Sequence, residues 1–216
     1  MNLKVNFITK LSKAMILNSI IFVKDKKVKN NVLNSILKSI LKNQLFLEDL
    51  FVQKEHNNIN YIFVNCEKLS TSSDYESIGS KLFDYLKKNK LDSAYIDTNK
   101  TSINQMQLEK VIHGANLKSY NFNIYKSYNK KNKTINLNVV GKQTVKSNSL
   151  RKKLDALKEG IFFTRDLVSE PGNILHPDEY VKRLLKLKKI GLKVTVYNEK
   201  KLKKLGCNAL LGVGQG

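Results

Sequence analysis

The stretch Tyr61-Ile62-Phe63-Val64-Asn65-Cys66 is a short apolar run rich in β-branched and aromatic residues. Runs of this kind are typical of a strand buried inside a sheet. A Ser/Thr cluster at residues 70–73 follows, and it suits a loop that ends in a helix N-cap. The apolar residues that come next recur at helical spacing: Ile78, Leu82, Phe83 and Leu86. A buried strand followed by an amphipathic helix indicates an α/β unit.

The same alternation of strand and helix extends in both directions from this stretch. Upstream, strands are predicted by the alternation of polar and apolar residues at 3–7 and by the apolar run at 16–23. A turn is predicted at residues 25–27, and the apolar residues between 28 and 41 recur at the spacing of an amphipathic helix. Downstream, we predict strands at 94–96 and 135–139 and a helix over 103–117, with Met106, Val111 and Ile112 facing inward; residues 120–125 alternate again. The pattern predicts an α/β domain with a parallel or mixed sheet.

A polar, unpatterned stretch at residues 141–149 predicts a linker, which divides the chain into domains at 1–145 and 146–216. The second part begins with a long amphipathic helix over residues 150–168 that breaks at Pro171-Gly172. A helix is predicted to begin at Pro177, followed by a strand at 192–196, a short helix at 199–205 and a strand at 209–213. This part is too short to complete a core of its own, so it is interpreted as the opening of an incomplete α/β domain.

Composition narrows the class of protein further. The chain has 216 residues, of which 41% are hydrophobic and 26% charged, which is the profile of a globular protein. The sequence has no apolar run long enough to span a membrane and no secretory signal at its start. Cys66 and Cys207 are too few and too far apart for a disulfide framework or a zinc cluster. We therefore expect a protein of the reducing cytoplasm.

The net charge of +21 would attract any polyanion at low salt. Only Arg151, Arg165 and Arg183 are arginines, whereas bidentate recognition of phosphates and bases relies on Arg. The excess of Lys, together with many Asn residues, is typical of a solvated surface encoded by a genome poor in G and C. Binding to nucleic acid remains an alternative.

Residues that could perform chemistry are scattered. His56, His113 and His176 lie far apart in sequence and are interpreted as surface or loop residues, and Cys207 as a small buried residue. The carboxylates Asp166, Glu170, Asp178 and Glu179 lie on both sides of the Pro-Gly break and are interpreted as charges at helix ends. The glycine-rich end, Gly212 to Gly216, lacks the spacing of a dinucleotide fingerprint and a following Lys-Ser/Thr pair.

The segment Arg165-Asp166-Leu167-Val168-Ser169-Glu170-Pro171-Gly172-Asn173-Ile174-Leu175-His176-Pro177 closely resembles the entry to the catalytic domain in the leucyl aminopeptidase (cytosol aminopeptidase) family. The resemblance continues through Gly191-Leu192-Lys193-Val194 and residues 201–206, and it ends on Asn208-Ala209-Leu210-Leu211-Gly212-Val213-Gly214-Gln215-Gly216. Residues 114–127 resemble the more variable first domain of the family weakly. His176 stands where the family commonly has Thr.

This resemblance implies a two-domain, cytoplasmic, hexameric exopeptidase that acts on peptides. It implies a macro-like first domain, and a second domain in which Lys, Asp and Glu side chains hold two divalent metal ions, Mn or Zn. Two such ions would polarise the scissile carbonyl and activate a water molecule. Those motif positions lie beyond the Val213-Gly214-Gln215-Gly216 block. We therefore expect an N-terminal fragment that is inactive alone and has no catalytic, metal-binding or cofactor-binding residue.

Two alternatives belong to other classes of function. One is a stand-alone basic module with non-specific DNA affinity, which the net charge would permit. The other takes the macro-like resemblance literally and proposes a ligand of the ADP-ribose type. Residues 1–145 contain no glycine-rich loop that would cradle phosphates, which disfavours this second alternative.

Overall fold

The computed structural model describes residues 2–11, 17–41, 49–126, 133–141 and 148–214. These fall into two compact units, unit 1 (Met1–Phe163) and unit 2 (Thr164–Gly216). The strands are β1 (Asn2–Ile8), β2 (Asn18–Val23), β3 (Phe51–His56), β4 (Ile59–Asn65), β5 (Ser93–Asp97) and β6 (Thr134–Val140). The α-helices are α1 (Asn31–Leu41), α2 (Ser72–Lys88), α3 (Gln105–Lys118), α4 (Ser149–Ser169), α5 (Pro177–Leu185), α6 (Glu199–Lys204) and α7 (Asn208–Gly214).

The strands of unit 1 form one mixed sheet in the order β1-β6-β5-β2-β4-β3. Every neighbouring pair is parallel except β3 and β4, which form an antiparallel hairpin. The chain leaves β2 toward β4 on one side and then returns through α2 to β5 on the other side of β2. After β5 the chain continues through α3 to β6, farther from β4, so the connections that leave β2 and β5 diverge. This arrangement confirms the predicted α/β class and the mixed sheet.

Helices cover both faces of the sheet, as its apolar residues require. On one face, Ile20 and Phe22 of β2 join Ile62 and Val64 of β4 in a large cluster under α2 and α3. On the other face, Ile21 and the neighbouring strand residues pack under Leu33 and Leu37 of α1. Strands buried on both faces have continuous apolar runs instead of alternation. This is why the run at 61–66 is apolar at successive positions.

Helices α2 and α3 approach each other closely because glycines stand at their crossing. A Cβ added at Gly79 of α2 would lie 1.9 Å from the carbonyl oxygen of Val111, and one added at Gly114 of α3 would lie 1.9 Å from that of Glu76. Neither distance is sterically possible without movement of the backbone. The two glycines thus set the spacing of these helices.

The strand β3 is absent from the sequence-based prediction. Its turn to β4 is formed by Asn57 and Asn58, which have φ values of 48° and 59°. Two consecutive left-handed residues form the tight turn that matches the twist of a hairpin, and Asn tolerates that conformation better than most residues. The pair Asn57-Asn58 is therefore the sequence feature that could have predicted this hairpin. The predicted turn at 25–27 is confirmed, with Asp25 and Lys26 both left-handed.

Two details of unit 1 were predicted wrongly. Met106 is 58% exposed, because it lies two residues, or about 200°, around α3 from Leu108, where the buried face begins. Residues 120–125 form no strand, despite their alternation. In place of strand pairing, their aromatic rings make side-chain contacts: Tyr120 lies 5.2 Å from Phe162, and Phe122 lies 5.9 Å from Tyr125. Residues 142–147 of the predicted linker lie outside the described residues.

The regular structure of unit 2 is entirely helical over its described residues, 164–214. The helix predicted at Pro177 is confirmed and is extended by a 3₁₀ helix, Lys186–Ile190, before Gly191. The predicted strands at 192–196 and 209–213 are wrong: the first stretch has no regular structure and the second lies in α7. A strand needs a hydrogen-bonded neighbour, and no strand lies between residues 164 and 214. A short apolar run without such a neighbour satisfies its backbone locally as a helix.

The residues of α5, α6 and α7 include none that is buried. Apolar side chains of this unit, such as Val168 and Val213, are each 80% exposed. No helix within the described ranges is long and apolar enough to cross a membrane. The division into domains at 1–145 and 146–216 stays a prediction; the boundary between the two units falls within α4, whose residues 149–163 belong to unit 1.

Candidate functional site

A cleft opens at the edge of the sheet where β1, β2, β5 and β6 end. It encloses about 620 Å³ and is lined by residues that follow these strands, among them Lys29, Thr98 and Gly141. The carboxyl edge of a parallel sheet, where connections diverge, is the usual place for a ligand in open α/β folds. The divergence between β2 and β5 lies at this cleft.

The loop after β5 is held in place by hydrogen bonds to the neighbouring strands. Thr101 is 1% exposed, and its hydroxyl oxygen accepts a bond from the Phe22 amide at 3.0 Å. The amide and the hydroxyl of Thr98 both donate to the Val140 carbonyl at 3.0 Å. At the end of the loop, Asn104 and Gln107 form a reciprocal capping box at the start of α3. These bonds give the cleft a fixed wall.

A buried ion pair joins α3 to α4 in unit 1. The Nε of Arg151 donates to both carboxylate oxygens of Glu109, at 3.0 and 3.1 Å, and both side chains are almost fully buried. Asn148 donates to the same carboxylate at 3.2 Å and accepts from the Arg151 amide. The guanidinium also lies 3.5 Å from the centre of the Phe7 ring on β1. This cluster holds the start of α4 on the sheet.

His113 is buried in α3, 3% exposed, so the interpretation as a surface or loop residue is wrong for this histidine. It lines a cavity of about 320 Å³ beside Asp155 and Lys158 of α4. Burial lowers the pKa of His113 below its ordinary value, and Lys110 and Lys158 act in the same direction. The carboxylates of Glu76 and Asp155 oppose that shift. The neutral imidazole is therefore the form that the fold favours.

The segment around the Pro-Gly break is held by an ion-pair network inside unit 2. Arg183 of α5 donates from Nη1 to Glu170 at 2.7 Å and from Nε to Glu179 at 3.1 Å. These hydrogen bonds lower the pKa of Glu179, chiefly through Arg183. Glu179 also lies in the first turn of α5, as predicted. The N-cap of that helix, His176, makes no side-chain capping bond. The network thus connects the segment at the Pro171-Gly172 break to α5.

The residues singled out for possible chemistry remain dispersed. His56 ends the edge strand β3 and is exposed, while His176 lies in unit 2. Burial raises the pKa of Cys66 to about 12, which leaves its thiol protonated and unreactive at neutral pH. Cys207 is half-exposed, which corrects its interpretation as a buried residue.

The described residues do not fit a divalent metal ion. Over the described ranges no three His, Cys, Asp or Glu side chains lie together. The carboxylates Glu170 and Glu179, which flank the Pro171-Gly172 break, both bind Arg183. The expectation that no residue of the chain has a catalytic or metal-binding role stays a prediction. Gly212 and Gly214 belong to α7, while residues 215–216 lie outside the described part of the chain.

Sequence reasoning missed the most specific polar features of unit 1. Glu109, Arg151 and Thr101 were not identified as buried, although Glu109 lies three residues before Ile112, on the face of α3 that was predicted to point inward. A charged residue on a predicted buried face is the signal that could have indicated an ion pair.

Comparisons with known proteins agree on one family. The sequence model of the cytosol aminopeptidase family, catalytic domain, matches residues 162–216. A probable cytosol aminopeptidase of Phytoplasma mali (strain AT) is 39% identical over 119 residues, which cover 53% of this chain and 24% of the relative. One from Caulobacter vibrioides is 42% identical over 106 residues, covering 48% and 22% respectively. The chain thus spans about a quarter of the length of these curated relatives.

Solved structures show the same fold. A mutant of tomato leucine aminopeptidase matches with a TM-score of 0.67 at 17% identity, over 95% of this chain and 46% of that one. A bottromycin maturation enzyme in complex with Mn matches with a TM-score of 0.62 at 15% identity, over 88% of this chain and 40% of that one. Residues 162–216 are thus similar in sequence to the catalytic domain of the cytosol aminopeptidase family, and the chain shares its fold with the first part of tomato leucine aminopeptidase.

Proposed function

We propose that this chain is the N-terminal portion of a cytoplasmic, metal-dependent leucyl aminopeptidase that removes N-terminal residues from peptides. The observation that carries the proposal is the match of residues 162–216 to the catalytic domain of the family. The fold likeness to leucine aminopeptidase over nearly the whole chain supports it. In this proposal, residues 1–145 are the macro-like first domain and residues 146–216 lead into the catalytic domain.

The chemistry of the proposed enzyme depends on groups outside the described residues. Two divalent ions, Mn or Zn, would polarise the peptide carbonyl and activate water in the catalytic domain. Because the described residues do not fit a metal ion, no step of hydrolysis is assigned to the side chains of this chain. Its contribution is structural: α4 and the Arg183 network fix the first segment of the catalytic domain. Assembly into a hexamer is part of the same proposal.

An assay of the 216-residue chain tests the part of the proposal that concerns the chain itself. We expect no hydrolysis of leucine p-nitroanilide by the purified chain with Mn or Zn added. A full-length cytosol aminopeptidase assayed in parallel shows that the conditions permit turnover. Hydrolysis that copurifies with the chain and is abolished by a chelator would overturn the proposed inactivity.

Electrostatics favours a second candidate function, non-specific binding of DNA. Lys and Arg outnumber Asp and Glu by about two to one in unit 2, where Lys188, Lys189 and Lys203 are among the exposed lysines. Affinity of this origin falls steeply with salt because bound counterions are released. We expect a triple Lys→Gln variant at Lys186, Lys188 and Lys189 to reduce the salt slope. Absence of binding at low salt would eliminate this candidate.

A further inference from the structure

We infer that the cavity lined by His113, between β1, α3 and α4, is a binding site for a small carboxylate with an apolar body. This His113 cavity encloses about 320 Å³. The residues that line it belong to unit 1, so the inference does not depend on the proposed peptidase activity. It rests on a buried imidazole without a hydrogen-bonding partner, on the charges of the lining and on its apolar part.

The His113 cavity lies beside the edge strand β1, where α3 and α4 meet. Its wall is held by the bond between Glu109 of α3 and Arg151 of α4, and the guanidinium lies over the Phe7 ring of β1. The three elements are thus fixed to one another before a ligand binds, which lowers the entropic cost of binding. The volume lies near the lower end of the range of roughly 300–1,000 Å³ for small-molecule sites. The space therefore suits a compact ligand.

His113 is the polar group that points most directly to a ligand. The residue is 3% exposed, yet its ring makes no hydrogen bond to any group within the described residues. Asn116, three residues further along α3, lines the same cavity, and its side-chain amide also lacks a hydrogen-bonding partner in the described part of the chain. Buried polar groups are normally paired, because leaving them unpaired destabilises the fold. Two such groups in one lining indicate a polar partner inside the cavity.

The charges of the lining select an anion. Its cations, among the described residues, are Lys4, Arg151 and Lys158. Arg151 is paired with Glu109, and the ammonium of Lys158 lies 3.9 Å from the Asp155 carboxylate. Lys4 of β1 forms no ion pair within the described residues, so it is the cation that a ligand can neutralise. A carboxylate meets this requirement, whereas the second charge of a phosphate would lie unpaired beside two protein carboxylates.

Apolar side chains form the other large part of the lining and set the body of the ligand. Ile112 of α3 and Leu154 of α4 are buried, and they line the cavity together with Leu3 and Val5 of β1. Burial of hydrocarbon against these residues is favourable, whereas the hydroxyls of a sugar would lose hydrogen bonds to water there. The ligand class is therefore a short branched acid, either a simple carboxylic acid or a free amino acid with an apolar side chain.

The test uses the full chain and three probes of similar size: 4-methylpentanoate, L-leucine and the neutral 4-methylpentanamide. Binding is measured by calorimetry and by changes in amide chemical shifts in NMR spectra. We expect a carboxylate to bind at millimolar concentrations or below and to shift the amides of residues 112–116 and 151–158. The neutral amide should bind about tenfold more weakly, because it cannot form the charge-assisted bond to Lys4. Tighter binding of L-leucine would assign its ammonium group to Asp155, while tighter binding of 4-methylpentanoate would identify a simple acid.

A matched pair of variants separates a site from general attraction to a basic chain. Lys4→Gln should weaken binding of the carboxylate about tenfold, and circular dichroism checks that the variant stays folded. Lys54→Gln should leave binding unchanged, since Lys54 is exposed on β3, the strand at the opposite edge of the sheet. Equal weakening by both variants, equal binding of the acid and the neutral amide, or no binding of either carboxylate at millimolar concentrations would overturn the inference.

The imidazole of His113 supplies a second readout, which general attraction to lysines would not move. The charged groups around its ring are Glu76 of α2, Lys110 of α3, and Asp155 and Lys158 of α4, with Lys4 of β1 in the same cavity. A carboxylate bound beside the ring favours the imidazolium, so the pKa of His113, followed through its ring resonances, should rise on binding. An unchanged pKa of His113 at saturation would place the carboxylate elsewhere and would also overturn the inference.

Discussion

The crossing of α2 and α3 offers the sharpest prediction about the fold. A Cβ at Gly79 would lie 1.9 Å from the backbone oxygen of Val111, whereas carbon and oxygen atoms in contact need about 3.3 Å. The Gly79→Ala variant therefore requires the helices to separate by about 1.4 Å, since a backbone oxygen cannot rotate away as a side chain can. This separation opens the apolar contact around Ile78, Leu82 and Val111.

We expect Gly79→Ala to lower the free energy of unfolding by about 3 kcal/mol, the upper part of the range for overpacking. Gly114→Ala should cost a similar amount, because its Cβ would lie equally close to the Glu76 oxygen. The double variant should cost less than the two single costs together, since one displacement relieves both clashes. Urea denaturation followed by circular dichroism measures all three values.

Gly160 provides the matched control for these substitutions. It lies inside α4 with nothing within 4 Å of its added Cβ, so Gly160→Ala should stabilise the chain by up to about 1 kcal/mol through helix propensity. Opposite signs for Gly79→Ala and Gly160→Ala are the expected result. A Gly79→Ala variant as stable as Gly160→Ala would refute the close approach of the two helices.

Four further substitutions test individual features. Lys90 has φ 55° one residue beyond the C-cap of α2, so Lys90→Gly should raise the free energy of unfolding by about 1 kcal/mol in urea titrations; no gain would argue against that left-handed cap. Arg151→Leu leaves Glu109 buried without its ion pair and should cost about 3 kcal/mol, and a neutral effect in thermal denaturation would count against the pair. Burial lowers the pKa of His113 from 6.5, so its contribution to the free energy of unfolding is complete above pH 6.5 and is lost as the pH falls through the lower folded-state pKa. His113→Gln should therefore flatten the fall in the free energy of unfolding between pH 7 and 5. An unchanged dependence of that free energy on pH would show that other groups cause the fall. His176→Thr supplies the missing capping oxygen and should slow hydrogen exchange in α5 by an amount equivalent to about 1 kcal/mol, whereas unchanged exchange would place the N-cap elsewhere.

Local sequence patterns were enough to predict most of the sheet and the helices that cover it. The strand at 61–66 is indicated by the β-branched and aromatic composition of those few residues. The helix that begins after Thr71 is indicated by its N-terminal capping box. The hairpin strand β3 was missed because four of its six residues are exposed, so its sequence lacks the alternation of apolar and polar residues that predicts a strand. Its position depends on the turn at Asn57 and Asn58.

Features that depend on distant residues could not be predicted. Whether Leu192 to Val196 becomes a strand depends on a neighbouring strand, which no local pattern can supply. The pairing of Glu109 with Arg151 joins residues 42 positions apart, and the cleft combines the ends of four strands. By contrast, the similarity to the cytosol aminopeptidase family could be predicted because it is carried by a contiguous run, Arg165 to Pro177, followed by two further blocks in order.

The central proposal is that the chain is the N-terminal part of a metal-dependent aminopeptidase. The measurement that tests it most directly is isolation of the native protein with an antibody raised against residues 49–126, followed by determination of its mass and its activity on leucine p-nitroanilide. We expect a polypeptide heavier than the 24.7 kDa of the 216 residues, with hydrolysis that a chelator abolishes. A native polypeptide of 24.7 kDa without such activity would contradict it and would favour a binding function for unit 1.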